Sequence, residues 1–148
     1  MTAFPYTPAD LLPHSGRMIL IDRIIACDEH RVHTEVTITA QHLFADENAQ
    51  VPSYVGLEIM AQSVGVIAGY VWRRQQQAPR VGFLLGTRLF TANVSHFFAS
   101  QCLQVTAQEV YREENGMAAY DCQICCAGEV LAQARLSAYE PQNLDEFK

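Results

Sequence analysis

The sequence predicts an α+β protein in which an antiparallel sheet is wrapped around one long buried helix. The first observation is the order of the segments, because two strand-like stretches precede one helical stretch and four more strand-like stretches follow it. The second is that the helical stretch, Val55 to about Arg74, is apolar nearly all round, so other structure has to cover it. The third is a pair of alternating stretches joined at Gly128-Glu129, which is typical of an antiparallel hairpin. This order excludes a parallel α/β repeat.

Length and composition indicate one globular domain over residues 1–148. A chain of 148 residues has the usual size of a single domain, and no internal repeat or Gly/Ser-rich linker divides it. Its hydrophobic fraction of 49% and charged fraction of 18% exclude a disordered chain. The net charge of −6 disfavours a nucleic-acid partner, because both molecules would be negatively charged.

The first two strands form a predicted hairpin. Met18 to Cys27 is rich in isoleucine, is short for a helix and is followed by the turn signal Asp28-Glu29-His30. Apolar and polar residues then alternate from Val32 to Ile38, which indicates a strand with one solvated face. Gln41 to Pro52 shows no period and is predicted to be a connecting loop.

The central helix is predicted to begin after Ser53, whose hydroxyl suits the N-cap position. Ala61, Gly65 and Gly69 recur at every fourth residue and therefore share one side of the helix. Because these small residues leave room, we expect the backbone of a neighbouring segment to approach closely along this stripe.

Four strands and a polar tail are predicted after the helix. In the last two of these strands alternate residues are apolar, so each strand should bury one face. The tail after Pro141 is expected to fray. The four strand-like stretches are Val81 to Phe90, Leu103 to Tyr111, Ala118 to Ala127 and Val130 to Tyr139.

Cysteine usage and the N-terminus favour a cytoplasmic location with free thiols. The chain has five cysteines, an odd number, and Met1 to Pro13 shows no secretory signal pattern. The longest uncharged stretch, Ile59 to Trp72, is shorter than the roughly 20 apolar residues of a bilayer span, so no membrane contact is expected. Cys122-x-x-Cys125 lacks the second cysteine pair of a structural zinc site, so these thiols are predicted to fill core space and no metal is expected.

Two motifs carry a resemblance to a known family. The first is Leu11-Leu12-Pro13-His14 followed by Met18-Ile19-Leu20-Ile21-Asp22-Arg23. The second, which is more specific, is Val51-Pro52-Ser53-Tyr54-Val55-Gly56-Leu57-Glu58-Ile59-Met60-Ala61-Gln62. They resemble the N-terminal motif and the start of the central helix in the hotdog-fold β-hydroxyacyl-[acyl-carrier-protein] dehydratases. A narrower resemblance is to the dehydratase-like hotdog proteins of aryl polyene gene clusters.

The resemblance implies a double hotdog, in which two central helices lie inside a shared sheet and acyl-thioester tunnels open at the dimer interface. The implied reaction removes water from a 3-hydroxyacyl chain on the phosphopantetheine arm of acyl carrier protein, with no further cofactor. It needs a base for the C2 proton, an acid for the departing hydroxyl and donors for the thioester oxygen. Glu58 matches the family's acid, and burial on an apolar helix is expected to keep it protonated. The N–H groups of Ser53 to Gly56 are the expected oxyanion donors.

The family's catalytic histidine has no direct match in this chain. The family places it in a His-Phe-Pro motif that is missing here, and counting back from Glu58 without gaps reaches Phe44. His42, two positions away, and His14, in the N-terminal motif, are the two candidate bases. His14 also has a simpler explanation as a turn or tunnel-lining residue.

The helix start and the N-terminal motif are expected to bind the acyl thioester. Gln62 also offers a non-catalytic explanation for Glu58, because it lies one turn later on the same face and can hydrogen-bond to the carboxylate. A charge on an otherwise apolar helix favours the functional explanation. The expected substrate-binding residues are Pro13, Ser53, Tyr54, Gly56 and Gln62.

Four arginines lie where the helix ends and the next strand begins. They either complement the C-terminal end of the helix dipole or form a docking patch for the acidic carrier protein, and the sequence leaves both explanations open. The four are Arg73, Arg74, Arg80 and Arg88.

Three hypotheses of function result. The leading one is dehydration of 3-hydroxyacyl-[acyl-carrier-protein] in fatty-acid or polyene/polyketide-type synthesis, by a homodimer or by a heterodimer with another hotdog subunit. The second is a non-catalytic subunit that completes a heterodimer with an active dehydratase, and the missing His-Phe-Pro motif motivates it. The third is an acyl thioesterase, because hotdog thioesterases also use a helix carboxylate.

Overall fold

The structure is a computed structural model that describes residues 3–76 and 83–139. Within these residues the fold has eight strands and two helices, together with 3₁₀ turns at Gly16–Met18 and Ser53–Val55. In chain order the elements are α1 (Pro8–Leu11), β1 (Arg23–Cys27), β2 (Arg31–Thr37), β3 (Gln50–Pro52), α2 (Gly56–Arg74), β4 (Phe83–Ala92), β5 (His96–Phe98), β6 (Cys102–Arg112), β7 (Met117–Cys126) and β8 (Glu129–Tyr139).

Six of the strands form one antiparallel sheet in the order β1-β2-β6-β7-β8-β4. The other two strands, β3 and β5, pair as a separate short ribbon. Among the described residues, β1 and β4 are the edges of the large sheet, since each has one strand neighbour. The α+β class with an antiparallel sheet and one long helix is therefore confirmed.

Helix α2 lies across one face of the sheet and contacts β1, β2, β6, β7 and β8. Its buried apolar side chains meet the inward-facing residues of these strands, which alternate along the chain as the period of a strand requires. Fully buried members of this core are Ile59, Met60, Val66 and Ile67 on the helix and Leu103, Val105, Ile124 and Leu136 on the sheet.

The described residues of this chain do not cover the helix on every side. Leu57, Ala61, Gly65 and Ala68 are only half-buried, and Glu58 beside them is exposed. By length and composition Ser53–Arg74 is long and apolar enough to cross a membrane, but 56% of its apolar 18-residue window is buried inside the protein. We interpret it as the core helix of the fold.

The small-residue stripe on α2 meets a backbone, as predicted. A Cβ atom on Gly69 would overlap the carbonyl oxygen of Leu11 and lie 2.8 Å from its carbonyl carbon. A Cβ atom on Gly65 would lie 3.2 Å from the Cδ2 of Leu12. The glycines therefore let α1 and the residue after it pack directly on the helix.

Three boundaries differ from the sequence prediction. The first strand begins only at Arg23, because Met18 lies in a 3₁₀ turn instead of the strand. The predicted loop from Gln41 to Pro52 contains the short strand β3. Ser53 is not the N-cap of α2, because it begins a 3₁₀ turn and Val55 precedes the helix without any side-chain cap.

The hairpin of β7 and β8 is confirmed. Its turn residues Ala127 and Gly128 have φ angles of 51° and 83°, the pattern of a type I′ turn. The predicted strand Val81 to Phe90 is observed from Phe83, and its first two residues lie outside the described residues. The tail after Pro141 also lies outside them.

Candidate active site at the start of the central helix

A histidine and a carboxylate meet at the first turn of α2. The Nε2 of His14 lies 3.6 Å from the Oε1 of Glu58, and their side chains are 31% and 49% exposed. Among the histidines in the described part of the chain, only His14 lies within 4 Å of this carboxylate. One of the two candidate bases therefore faces the predicted acid within a single chain.

The packing of α1 places His14. Leu11 and Leu12, 1% and 5% exposed, are buried against α2, and Pro13-His14 follows them directly. Within residues 3–76 and 83–139, the Nδ1 of His14 is buried without a hydrogen-bond partner, so none of these residues holds the ring by a hydrogen bond from that side. The position of the imidazole thus depends on the contact of α1 with the glycines of α2.

Gln62 connects Glu58 to the N-terminal motif. Its side chain is 2% exposed, and its Oε1 accepts a hydrogen bond of 2.9 Å from the backbone N–H of Leu20. Its Nε2 donates to the carbonyl oxygen of Met18 at 2.8 Å and to the Oε1 of Glu58 at 3.2 Å. The amide is therefore bonded on both ends to groups of this chain.

The expected burial of Glu58 is wrong for the single chain. Its side chain is 49% exposed, because the side stripe of α2 that carries it faces outward. Two large apolar residues of the same two motifs, Met18 and Tyr54, are 56% and 68% exposed. Desolvation of the carboxylate would therefore need a second surface placed over these residues.

The N–H groups at the helix start are partly used, which corrects the expected oxyanion donors. The N–H of Ser53 donates to the carbonyl of Ser95 at 2.9 Å. The N–H of Gly56 donates to the carbonyls of Ser53 and Tyr54. Because these two donors are engaged, the helix start offers fewer groups to a thioester oxygen than predicted.

The other expected substrate-binding residues occupy different surroundings. Gly56 is buried, and a Cβ atom there would lie 3.0 Å from the Cδ1 of Ile124 and 3.3 Å from the Cζ of Phe97. Its missing side chain thus serves the approach of the helix to the core. Pro13, which precedes His14, and Tyr54, four residues before Glu58, are exposed, and their role in substrate binding stays a prediction.

His42 occupies a separate position. Its Nδ1 accepts a hydrogen bond of 3.1 Å from the N–H of Phe44, and its ring lies 6.1 Å from that of Phe44. Burial lowers the pKa of His42, and the charge of Asp22 opposes this shift while that of Arg17 adds to it. Within the described residues no contact joins His42 to Glu58.

The arginine cluster is spread over two elements. The guanidinium of Arg73 lies over the ring of Tyr6, 5.5 Å from its centroid, and that of Arg74 lies 5.6 Å from the centroid of Tyr70. Arg74 also lies 3.8 Å from the Oε1 of Glu29. Arg88 is exposed on β4, whereas Arg80 lies outside the described residues. The docking role of these residues stays a prediction.

Burial raises the pKa of three of the five cysteines, Cys27, Cys122 and Cys125. Burial raises the pKa of Cys122 to about 12, with a smaller contribution from Asp121, and burial raises that of Cys27 to about 12 as well. Cys125 is half-buried and its pKa is also raised by burial. In residues 3–76 and 83–139, no three or more His, Cys, Asp or Glu side chains are grouped to hold a metal ion. These thiols are protonated near neutral pH and fill space.

An open pocket of about 510 Å³ lies on the outer face of the large sheet. Its floor includes Asp121 and Arg135, which form a two-pronged ion pair at 2.8 and 3.1 Å. The pocket includes none of the predicted site residues. It is therefore separate from the candidate active site.

The sequence motifs indicated both members of the pair, but not that they would meet. The two residues are far apart in the chain, and nothing local marks His14 over His42. The contact of Gln62 with Met18 and Leu20 was also missed. The sequence signal for this contact was indirect: Met18 and Leu20 belong to the N-terminal motif of the family resemblance, and Gln62 belongs to the helix motif.

A long helix packed on one face of an antiparallel sheet defines a hotdog-fold protein, and in this chain a histidine and a glutamate meet at the start of that helix. Solved structures of low identity share the fold. A hypothetical thioesterase with coenzyme A from Streptococcus pneumoniae is 10% identical with a TM-score of 0.64, covering 80% of this chain and 84% of that one. The E. coli PaaI protein is 19% identical with a TM-score of 0.58, covering 78% and 80%.

The chain belongs to the ApeP-like family of dehydratases, because the family model described as ApeP dehydratase matches residues 6–148. A chain of the dehydratase heterocomplex ApeI:P from Xenorhabdus doucetiae is 28% identical with a TM-score of 0.87, covering 95% of this chain and 94% of that chain. A search among curated proteins found no match. The predicted hotdog-fold dehydratase family is thus confirmed.

Proposed function

We propose that this chain removes water from 3-hydroxyacyl groups carried on the phosphopantetheine of acyl carrier protein, as one subunit of a hotdog heterodimer in the cytoplasm. The synthesis it serves is of the fatty-acid or polyene type. The observation that carries the proposal is the approach of His14 to Glu58, 3.6 Å apart at the start of α2. Membership of a dehydratase family supports the reaction type.

The pair supplies both proton transfers of the reaction. His14 takes the C2 proton of the acyl chain as the general base, and the electron pair moves toward the thioester carbonyl. Protonated Glu58 gives its proton to the C3 hydroxyl, which leaves as water as the C2–C3 double bond forms. The C–O bond breaks and no oxidant or metal is needed. The C2 proton then passes from the imidazole to the carboxylate, which restores the pair.

A second subunit supplies the cover that the described residues do not give to Glu58. Glu58 is half exposed, and the large apolar residues Met18 and Tyr54 are exposed as well. The edge strand β4 carries Leu89, which is 78% exposed and has a φ of 58° at an irregularity of the ladder. An exposed apolar residue on an unpaired edge is a typical place for another chain to bind. The similar chain from Xenorhabdus doucetiae belongs to a heterocomplex, which supports a heterodimer over a homodimer.

The carrier protein is expected to dock near the end of α2. Arg73 and Arg74 are exposed there. Cation–π contacts with the rings of Tyr6 and Tyr70 hold their guanidinium groups against the surface. Acidic residues on a carrier protein would be attracted to these charges, an interaction that salt weakens.

The experiment compares Glu58→Gln and His14→Gln with His33→Gln, each in the complex with the hotdog partner subunit. The substrate is a 3-hydroxyacyl-[acyl-carrier-protein], and the enoyl product is measured by mass spectrometry. We expect each of the first two variants to lower turnover by about 10²–10⁴-fold, the usual contribution of a general acid or base. His33 is the matched control, because its Nε2 bonds to Gln104 on the sheet, 2.6 Å away. Unchanged turnover in Glu58→Gln would refute the proposed acid.

The second candidate function is a non-catalytic subunit that completes a heterodimer. The engaged N–H groups of Ser53 and Gly56 and the exposure of Glu58 favour it. Full turnover of the complex with both site residues replaced would establish it. Thioester hydrolysis on the same fold is distinguished in the same assay, because it releases the pantetheine thiol in place of an enoyl product.

A further inference from the structure

We propose that Gln62 is a positioning residue that aims the carboxylate of Glu58 at His14 and locks the Met18–Leu20 segment to the helix. This proposal rests on the proposed function, since it gives the acid–base pair its geometry. Gln62 was expected to bind substrate, but its amide is turned to the protein itself: 2% of the residue is exposed, and both ends of the amide are bonded.

The orientation of the amide is determined by its partners. The N–H of Leu20 can only donate, so the Oε1 of Gln62 must face it. The Nε2 then faces two acceptors, the carbonyl oxygen of Met18 and the Oε1 of Glu58. A flipped amide would bring its oxygen against both acceptors and its NH₂ group against a donor. The network therefore has one arrangement.

The contact with Glu58 falls on the oxygen that faces the histidine. The Oε1 of Glu58 lies 3.2 Å from the Nε2 of Gln62 and 3.6 Å from the Nε2 of His14. The carboxylate is half exposed, so without this contact its side chain would turn among several rotamers. A hydrogen bond from a buried, doubly anchored amide restricts it to the one that meets the imidazole.

The same amide couples the two motifs of the family resemblance. Met18 and Leu20 belong to the N-terminal segment, and Gln62 belongs to the helix. The N-terminal segment is thus held on α2 at two places. Leu11 and Leu12 pack on the helix before His14, and the amide of Gln62 bonds to Met18 and Leu20 after it. Moving either end would change the separation of His14 from Glu58.

The test uses Gln62→Met and Gln62→Glu in the complex, with Ser63→Ala as the control. Ser63 is the next residue of the helix, is fully buried and bonds to Thr34 at 2.9 Å and to the carbonyl of Ile59 at 3.0 Å. Its loss removes buried hydrogen bonds of the same helix without touching Glu58. Thermal unfolding of all three variants identifies those that fold. Gln62→Glu keeps an acceptor for Leu20 and loses the donors, so it serves where Gln62→Met does not fold.

Turnover should separate positioning from stability. We expect kcat to fall by about 10²-fold in both Gln62 variants, with KM within about twofold of wild type, because a misplaced acid affects the chemical step. Ser63→Ala should keep its kcat. In a Glu58→Gln background, Gln62→Met should lower kcat no further, because its effect passes through that carboxylate. An additive loss there, or an equal loss of kcat in Ser63→Ala, would overturn the positioning role.

A structure of the folded Gln62 variant supplies a readout that does not depend on activity. The separation of His14 Nε2 from Glu58 Oε1 should increase beyond 4 Å or the carboxylate should adopt several rotamers. A separation that stays at 3.6 Å would overturn the proposal. A wider separation with unchanged turnover would instead overturn the proposed function and leave the positioning of the pair intact.

Discussion

Replacement of Gly69 by alanine tests whether the position of α1, and with it that of His14, depends on the direct contact of two backbones. The new Cβ atom would overlap the Leu11 carbonyl oxygen and lie 3.0 Å from the Leu11 Cβ. These are a main-chain atom and a Cβ atom, and no change of side-chain rotamer can move them away. Helix α1 therefore has to move away from α2.

Two opposing effects determine the size of the change. An extra methyl group in a packed contact costs about 1–3 kcal/mol. Alanine in a helix interior is favoured over glycine by about 1 kcal/mol. Because the overlapped atoms are backbone, we expect the upper part of the first range and a net loss of about 1–2 kcal/mol. For a chain of this length the melting temperature should fall by roughly 2–4 °C per kcal/mol.

Gly65→Ala is the matched control on the same stripe. Its Cβ atom would meet only the Cδ2 of Leu12 at 3.2 Å, the mobile tip of a side chain. The propensity gain should then offset the contact, and stability should stay within about 0.5 kcal/mol of wild type or rise.

Urea denaturation of both variants, followed by circular dichroism, measures the difference in free energy of unfolding. Turnover of the complex should fall in Gly69→Ala and stay near wild type in Gly65→Ala, since only the former displaces the segment that carries His14. Equal stability of Gly69→Ala and wild type would refute the proposed contact of α1 with the helix.

The remaining predictions concern groups outside the pair. Burial raises the pKa of Cys122 from 9.0 to about 12. This thiol should therefore react with iodoacetamide roughly 10³-fold more slowly than an unperturbed thiol, which peptide mapping would measure. Rapid labelling in the folded protein would contradict its burial. Burial by itself would raise the pKa of Glu109, but hydrogen bonds from His30 and Arg112 outweigh it and lower the pKa below 4.5. The stabilisation of the fold by ionised Glu109 is therefore present above pH 4.5 and lost as the pH falls through the folded pKa. In urea unfolding, Glu109→Gln should lose less stability between pH 7 and pH 3 than wild type does. An equal loss of stability in acid would count against this linkage. Leu89→Arg should weaken assembly with the partner subunit in size-exclusion chromatography without unfolding the chain, and intact assembly would exclude β4 as the interface.

Local patterns were sufficient to predict most of the fold. Alternating residues identify a strand because side chains point to opposite faces in turn, and this is how β2, β7 and β8 were recognised. The spacing of Gly65 and Gly69 predicted the close backbone contact because residues four apart share a helix face. Both signals depend on neighbours in the chain.

The features that were missed depend on contacts between distant segments. Ser53 looks like an N-cap, but its N–H bonds to Ser95 and its own turn is 3₁₀. The composition of the helix could not predict the exposure of Glu58 in the single chain. An apolar helix is predicted to be buried, whether its own chain or another chain covers it. The choice of His14 over His42 requires the packing of α1, which no local pattern reports.

The most direct test of the acid–base pair is a double-mutant cycle of Glu58 and His14 under single-turnover conditions. The complex with the partner subunit is mixed with a 3-hydroxyacyl-[acyl-carrier-protein], and the first-order rate of enoyl formation is measured for wild type, Glu58→Gln, His14→Gln and the double variant. Two groups that act as a unit should give a double variant about as slow as the slower single one. Rates that fall by the product of the two single effects, or single variants as fast as wild type, would contradict a catalytic pair.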